Sequence, residues 1–237
     1  MKFYALKKVS FAILFLFTIP VYAFYAPPDS SGENFAYKKI KWQYNTPWEW
    51  KVEIPQEYVA HYRRKARPKW TGYLAYYAKY IEPTDKGILI LVEGLKETIE
   101  ENAMRYAWSY EEQLMFVVSM VQQMPYIPDD EADGDSYEKY PLETLFDGGG
   151  DCEDKAILCA ALLERMGYDV SLIFVETPNK KKSHIAIGAV LREPTDGHYF
   201  RKGTKNYYYI ETTTAGWEIG EIPDEWEGLP GVIIDVN

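Results

Sequence analysis

Hydrophobic and polar positions change their period along this chain, and the changes mark its elements. Lys38–Tyr44 and Trp48–Ile54 both alternate, with Asn45-Thr46-Pro47 between them, which predicts a β-hairpin. Pro55 opens a short helix to about Arg64, and the tyrosine-rich run Gly72–Tyr80 fits helix or strand. Helical spacing returns at Ile88, Leu91, Val92, Leu95 and Ile99, with Asp85 as the cap. A second helix follows Ser109-Tyr110-Glu111-Glu112, an S-x-x-E capping box, and ends before Pro125. From Asp169 the period shortens to that of strands: Asp169–Glu176, Ser183–Leu191 and Tyr207–Thr213, with a turn at Arg201–Thr204.

The stretch Tyr140–Tyr168 stands between these two regimes. Gly148, Gly149 and Gly150 allow a sharp turn, and Asp151 with Asp154 three residues on predicts a capped helix start. The helix runs along an apolar stripe of Cys152, Ala156, Cys159 and Leu163 and stops at Gly167. A helix packed on short, closely linked strands predicts an α+β fold with an antiparallel sheet.

Composition bounds the function. The chain has 237 residues, 47% hydrophobic and 26% charged, enough for one or two domains. Its net charge of −10 speaks against a nucleic-acid partner, which would ask for clustered Lys and Arg. Residues 1–23 have the features of a secretory signal: Lys2, Lys7 and Lys8, an apolar run Phe11–Phe17, and Val21-Tyr22-Ala23 before the cut. The run is shorter than the ~18 residues of a membrane span. The expected organisation is a signal at 1–23, a hairpin and helical region at 24–104, and a core domain at 105–237. A membrane is a partner only if the leader is kept.

An exported chain with two cysteines suggests a disulfide. Seven residues apart on one helix, however, Cys152 and Cys159 would sit about 10 Å apart, beyond the ~7 Å a disulfide spans. Cys159, mid-helix, reads as a small core residue. Cys152 in the first turn meets free backbone N–H groups and the positive end of the helix dipole, both of which favour a thiolate.

A thiolate nucleophile needs a base, and the base needs an orienting group. Of three histidines, His61 and His198 read as surface residues. His184 begins a strand and shares a face with the small residues Ala186 and Gly188, which would let a helix end approach. Glu211 interrupts an aromatic and apolar run, where a carboxylate is costly unless paired. The acidic loop Asp129–Asp135 imitates the start of a calcium loop, but Tyr140 stands where the bidentate Glu belongs, so no metal site is assigned.

Cysteine at a helix start, then histidine and an acid on successive strands, resembles the transglutaminase-like superfamily with its papain-like arrangement. The resemblance spans about Ser109–Pro223 and rests on YPLETLFDGGGDCEDKAILCAALLERMGYDV, HIAIGAV and YYYIETTTAGWEIGEIP. It implies Cys152 as nucleophile, His184 as general base and Glu211 as orienting acid, where the superfamily usually has Asp. It also implies a thioester acyl-enzyme formed on an amide, usually of a protein or peptide; the leader puts that substrate outside the cytoplasm, and no cofactor is expected. Gln122 is a candidate oxyanion donor, with a polar helix-face role as the alternative. A fold kept as a binding module without turnover is the other reading, favoured by the Tyr- and Trp-rich N-terminal region.

Overall fold

The computed structural model describes residues 16–18, 35–81, 86–129 and 137–236. Asp85, the leader 24–34, most of 1–23 and the acidic loop after Asp129 lie outside them.

Strand β2 (Phe35–Tyr44) pairs antiparallel with β3 (Thr46–Pro55), with Tyr44 opposite Thr46. The turn is tighter than expected: Asn45 alone makes it, in the left-handed conformation (φ 58°) that asparagine tolerates. A short strand β1 (Leu16–Thr18), inside the segment expected to be a signal, pairs parallel with β3. Trp42, Trp48 and Trp50 of the hairpin are buried, and Phe116 packs edge-on to Trp42 and Trp48. These aromatics, expected as a contact surface under the binding reading, are core.

Helix α1 (Gln56–Arg64), a 3-10 helix at Leu74–Tyr80, α2 (Lys86–Tyr106) and α3 (Tyr110–Gln122) follow. The capping box of α3 is complete, with Ser109 Oγ accepting from Glu112 N and Glu112 Oε2 from Ser109 N. A helix not anticipated from the sequence, α4 (Pro141–Asp147), starts at a proline and ends at Gly148, whose φ of 81° suits glycine. Helix α5 (Cys152–Arg165) then runs to Gly167. Its buried residues join those of the hairpin, α2 and α3 in one continuous core.

The second sheet is fully antiparallel, in the order β6-β7-β5-β4-β8. Its strands are β4 (Val170–Glu176), β5 (Ser183–Ala189), β6 (Tyr199–Lys202), β7 (Lys205–Ile210) and β8 (Gly231–Asp235). Two features differ from expectation. The turn placed at Arg201–Thr204 is shorter, because Tyr199–Lys202 is itself a strand hydrogen-bonded to β7. Strand β8, with apolar Val232, Ile233 and Ile234, closes the other edge against β4.

The sheet separates two packed layers. Leu172, Ile185, Ile187 and Ile210 face the helical core. Ile173, Val175, Ala186, Tyr207 and Tyr209 face a smaller cluster with Ile222 and Trp226. Among the described residues, no helix is long and apolar enough to cross a membrane.

Candidate active site

The start of α5 is fixed from both sides. Gly150 N donates to Pro125 O and Ile127 N donates to Gly150 O, so the glycine turn lies against the segment after α3. A Cβ on Gly149 would come within 2.3 Å of Pro125 O, a distance no side chain tolerates. Asp151 caps the helix by accepting from Asp154 N. The reciprocal half of the expected pair is not made, because Asp154 accepts instead from Lys139 N at 2.7 Å and Lys139 Nζ at 2.9 Å. Burial still raises the Asp154 carboxyl to about 6, with the lysine opposing it.

Both cysteines are free, and Cys159 is fully buried. Cys152 is partly exposed, and its Sγ–H donates to Glu153 Oε2 at 3.0 Å. Burial, then the Glu153 charge and hydrogen bond, push the thiol well up, while the Ile185 N–H aimed at the sulfur acts the other way. The helix end therefore does not by itself give the thiolate expected from the sequence. Burial opposes it first, and the charges of Glu153 and Asp151 add to that.

Ile185 directly follows His184, so the sulfur sits beside the start of β5. It gets there differently from expectation. His184 and Ala186 do not face α5; Ile185 and Ile187 do. The histidine lies on the far layer, at the open end of the strand, where its ring stacks on Trp226.

There His184 Nε2 lies 2.8 Å from Glu211 Oε2, and both side chains are buried. The Trp226 ring stacks on the imidazole, 4° from parallel with centroids 5.4 Å apart. Glu211 is the first residue after β7 rather than part of it. Its Oε1 accepts from Thr212 N (2.9 Å), Thr213 N (2.8 Å) and Thr213 Oγ1 (2.6 Å), and its Oε2 also accepts from Tyr209 Oη at 2.8 Å. These donors, led by His184, hold the carboxyl down at about 2 against the penalty of burial. The extra methylene of Glu lets one oxygen bind its own turn while the other addresses the histidine.

Gln122 does not fit the oxyanion role. Its Nε2 spends both hydrogens on backbone carbonyls, Glu211 O at 2.9 Å and Trp217 O at 3.0 Å, and so braces the acid's segment. Lys155, a polar residue on the same helix, is fully buried. Its Nζ donates to Gln122 O, Met124 O and Thr213 O at 3.1, 2.7 and 2.6 Å. Burial lowers its ammonium to about 8. The sequence signal was its place one turn after Cys152, on the stripe side of a buried helix.

Asp129, Asp151 and Glu153 bring carboxylate oxygens within 4.8 Å of one another beside Cys152. Oxygen donors of this kind suit a hard cation, and acidic groupings are also common without one. A cavity of about 640 Å³ lies elsewhere, between the Asn45 turn, α3 and the loops at Glu193 and Trp217. None of Cys152, His184 and Glu211 lines it.

No family model matches the chain, and no curated protein matches it. Among solved structures it is similar to Legionella pneumophila LapG (EGTA-treated), 19% identical over 72% of this chain and 84% of that one, TM-score 0.43. A further Legionella pneumophila LapG structure is 20% identical over 66% and 78%, TM-score 0.42. A TGase is 11% identical over 86% and 53%, TM-score 0.36. Likenesses this distant carry no argument about chemistry, which rests on the side chains themselves.

Proposed function

We propose that this chain is an exported, transglutaminase-like thiol enzyme that acts on amide bonds through a Cys152 acyl-enzyme. The observation that carries the proposal is the buried His184–Glu211 pair at 2.8 Å, at the strand end where the Cys152 sulfur meets the Ile185 N–H. His184 and Glu211 come from separate elements and pair in the interior, and the N–H of the residue after His184 is aimed at the Cys152 sulfur, which supports the reading.

With Nε2 turned to Glu211, Nδ1 of His184 is left for the sulfur. The thiol leaves Glu153 and gives its proton to the imidazole. The thiolate attacks the carbonyl carbon, forming a C–S bond and placing negative charge on oxygen. Backbone N–H groups of the first turn of α5, Cys152 included, offer that charge a donor. As the C–N bond breaks, the imidazolium protonates the leaving amine, and a thioester remains. Water then gives a carboxylic acid, as in a peptidase or amidase, or a second amine gives a new amide, as in a transglutaminase; either restores the thiol. Glu211 stays ionised throughout and holds the imidazole in orientation.

A second reading, a binding module without turnover, is favoured by one observation: the Cys152 thiol is bonded to Glu153 rather than to the imidazole. Incubating the protein with a peptide-amide library and trapping the thioester for mass spectrometry separates the two. The enzyme reading expects an acyl adduct on Cys152, absent in Cys152→Ala. Turnover that persists in Cys152→Ala overturns the Cys152 mechanism, and no adduct or turnover under any condition leaves the binding reading.

A further inference from the structure

Two donors share one oxygen of Glu211. His184 Nε2 and Tyr209 Oη each lie 2.8 Å from Oε2, and the acyl-enzyme scheme gives work only to the first. The phenol is fully buried, on the same sheet layer as Trp226. A buried tyrosine usually finds a partner, but most take a backbone carbonyl or another neutral group. This one takes the single carboxylate atom that sets the charge beside the imidazole.

We propose that Tyr209 is a positioning residue that moderates the pull of Glu211 on His184, an inference that rests on the thiol-enzyme reading above. A carboxylate oxygen that accepts one hydrogen bond holds an imidazolium strongly. A second donor on the same oxygen draws off part of its charge and weakens that hold. The imidazolium then remains acidic enough to pass its proton to a leaving amine, which a tighter pair would resist. The phenol also fixes Oε2 laterally, at the point where the imidazole N–H meets it.

Other charged groups face this cluster and set the background. Lys155 on α5 acts on Glu211, and Cys152 at the head of α5 acts on Tyr209. Glu153 and Asp151 act on Cys152, and Thr212 and Thr213 saturate the far oxygen, Oε1. None of these donates to Oε2. Burial and the Glu211 charge push the phenol up, so Tyr209 keeps its proton and remains a donor across the working range.

The test reads the alkylation of Cys152 by iodoacetate across pH, followed by mass spectrometry with Cys159 as internal control. Sulfur displaces iodide from the methylene carbon. The reagent's carboxylate favours an imidazolium beside the sulfur, so the rate falls on the alkaline side as that proton is lost. Tyr209→Phe is expected to carry this fall to higher pH by about half a unit, a several-fold rate difference near the midpoint. Site-specific replacement of Tyr209 by 3,5-difluorotyrosine, a stronger donor of the same shape, is expected to move it lower. A purely structural role for the phenol would scale the rate equally at all pH. Superimposable profiles in both variants, with unchanged thermal melts, overturn the assignment of Tyr209 alone. A wild-type profile without an alkaline fall overturns the thiol–imidazole reading and this inference together.

Discussion

Lys155 Nζ donates to the carbonyl oxygen of Thr213 at 2.6 Å, tying the helix that starts at Cys152 to the turn that carries Glu211. The same ammonium holds Gln122 O and Met124 O, so three chain segments converge on one charge beneath the site. Lys155→Met fills the volume but leaves three buried acceptors without a donor. An unpaired buried acceptor costs about 1–3 kcal/mol. We expect a loss near 3 kcal/mol after relaxation, seen as a fall of roughly 10 °C in Tm by circular dichroism. A variant as stable as wild type would show that the carbonyls have other partners.

Glu153 holds the thiol proton of Cys152, and its charge is the largest electrostatic contribution raising that thiol. Glu153→Gln removes the charge while keeping an acceptor. The thiol should fall by about one unit, and below it each unit multiplies the thiolate fraction by about ten. Iodoacetamide at pH 7 should then label Cys152 roughly tenfold faster, with Cys159 unlabelled in both proteins. Equal rates would mean that another group keeps the sulfur protonated.

Glu211 links stability to acid. Its folded carboxyl lies at about 2, below its ordinary 4.5, so the folded state binds fewer protons than the unfolded chain in that window. Its stabilising contribution is complete above pH 4.5 and is lost as pH falls toward 2, on the order of 3 kcal/mol in all. Urea melts between pH 5 and 2.5 should show wild type weakening more steeply than Glu211→Gln. Parallel curves would place the acid sensitivity elsewhere.

Gly149→Ala tests the seat of α5. The new Cβ would meet Pro125 O, a backbone atom that cannot swing aside. We expect at least about 2 kcal/mol of destabilisation and a marked loss of Cys152 labelling. Gly167→Ala, at a left-handed turn with open space around it, should cost only about 1 kcal/mol and leave labelling intact. Equal labelling loss in both would argue against a local effect at the site.

How much of this was legible in the chain follows from range. Local signals were reliable: the Ser109 box, the Asp151 cap and the Gly167 stop depend on neighbours three or four residues away. The candidates Cys152, His184 and Glu211 stood out in the chain because each violates its surroundings, a thiol at a helix start, an imidazole opening a strand, a carboxylate in an aromatic run. The misreadings came from partners that no period encodes. Glu153, one residue from Cys152, is a charged helix residue by its pattern, yet its carboxylate lies on the sulfur. Gln122 and Lys155 bond to carbonyls as many as 95 residues away, which no period encodes. Strand β8 was missed because its pattern suits an edge only once β4 is there to receive it.

Trp226 reaches His184 from a segment that follows Glu211 in the chain and precedes β8. During synthesis the polypeptide leaves the ribosome amino end first. The sulfur, the imidazole and the carboxylate therefore all emerge before the indole that roofs the imidazole. A half-made chain carries the reactive groups without their shelter, and the finished arrangement waits on residues downstream of all three.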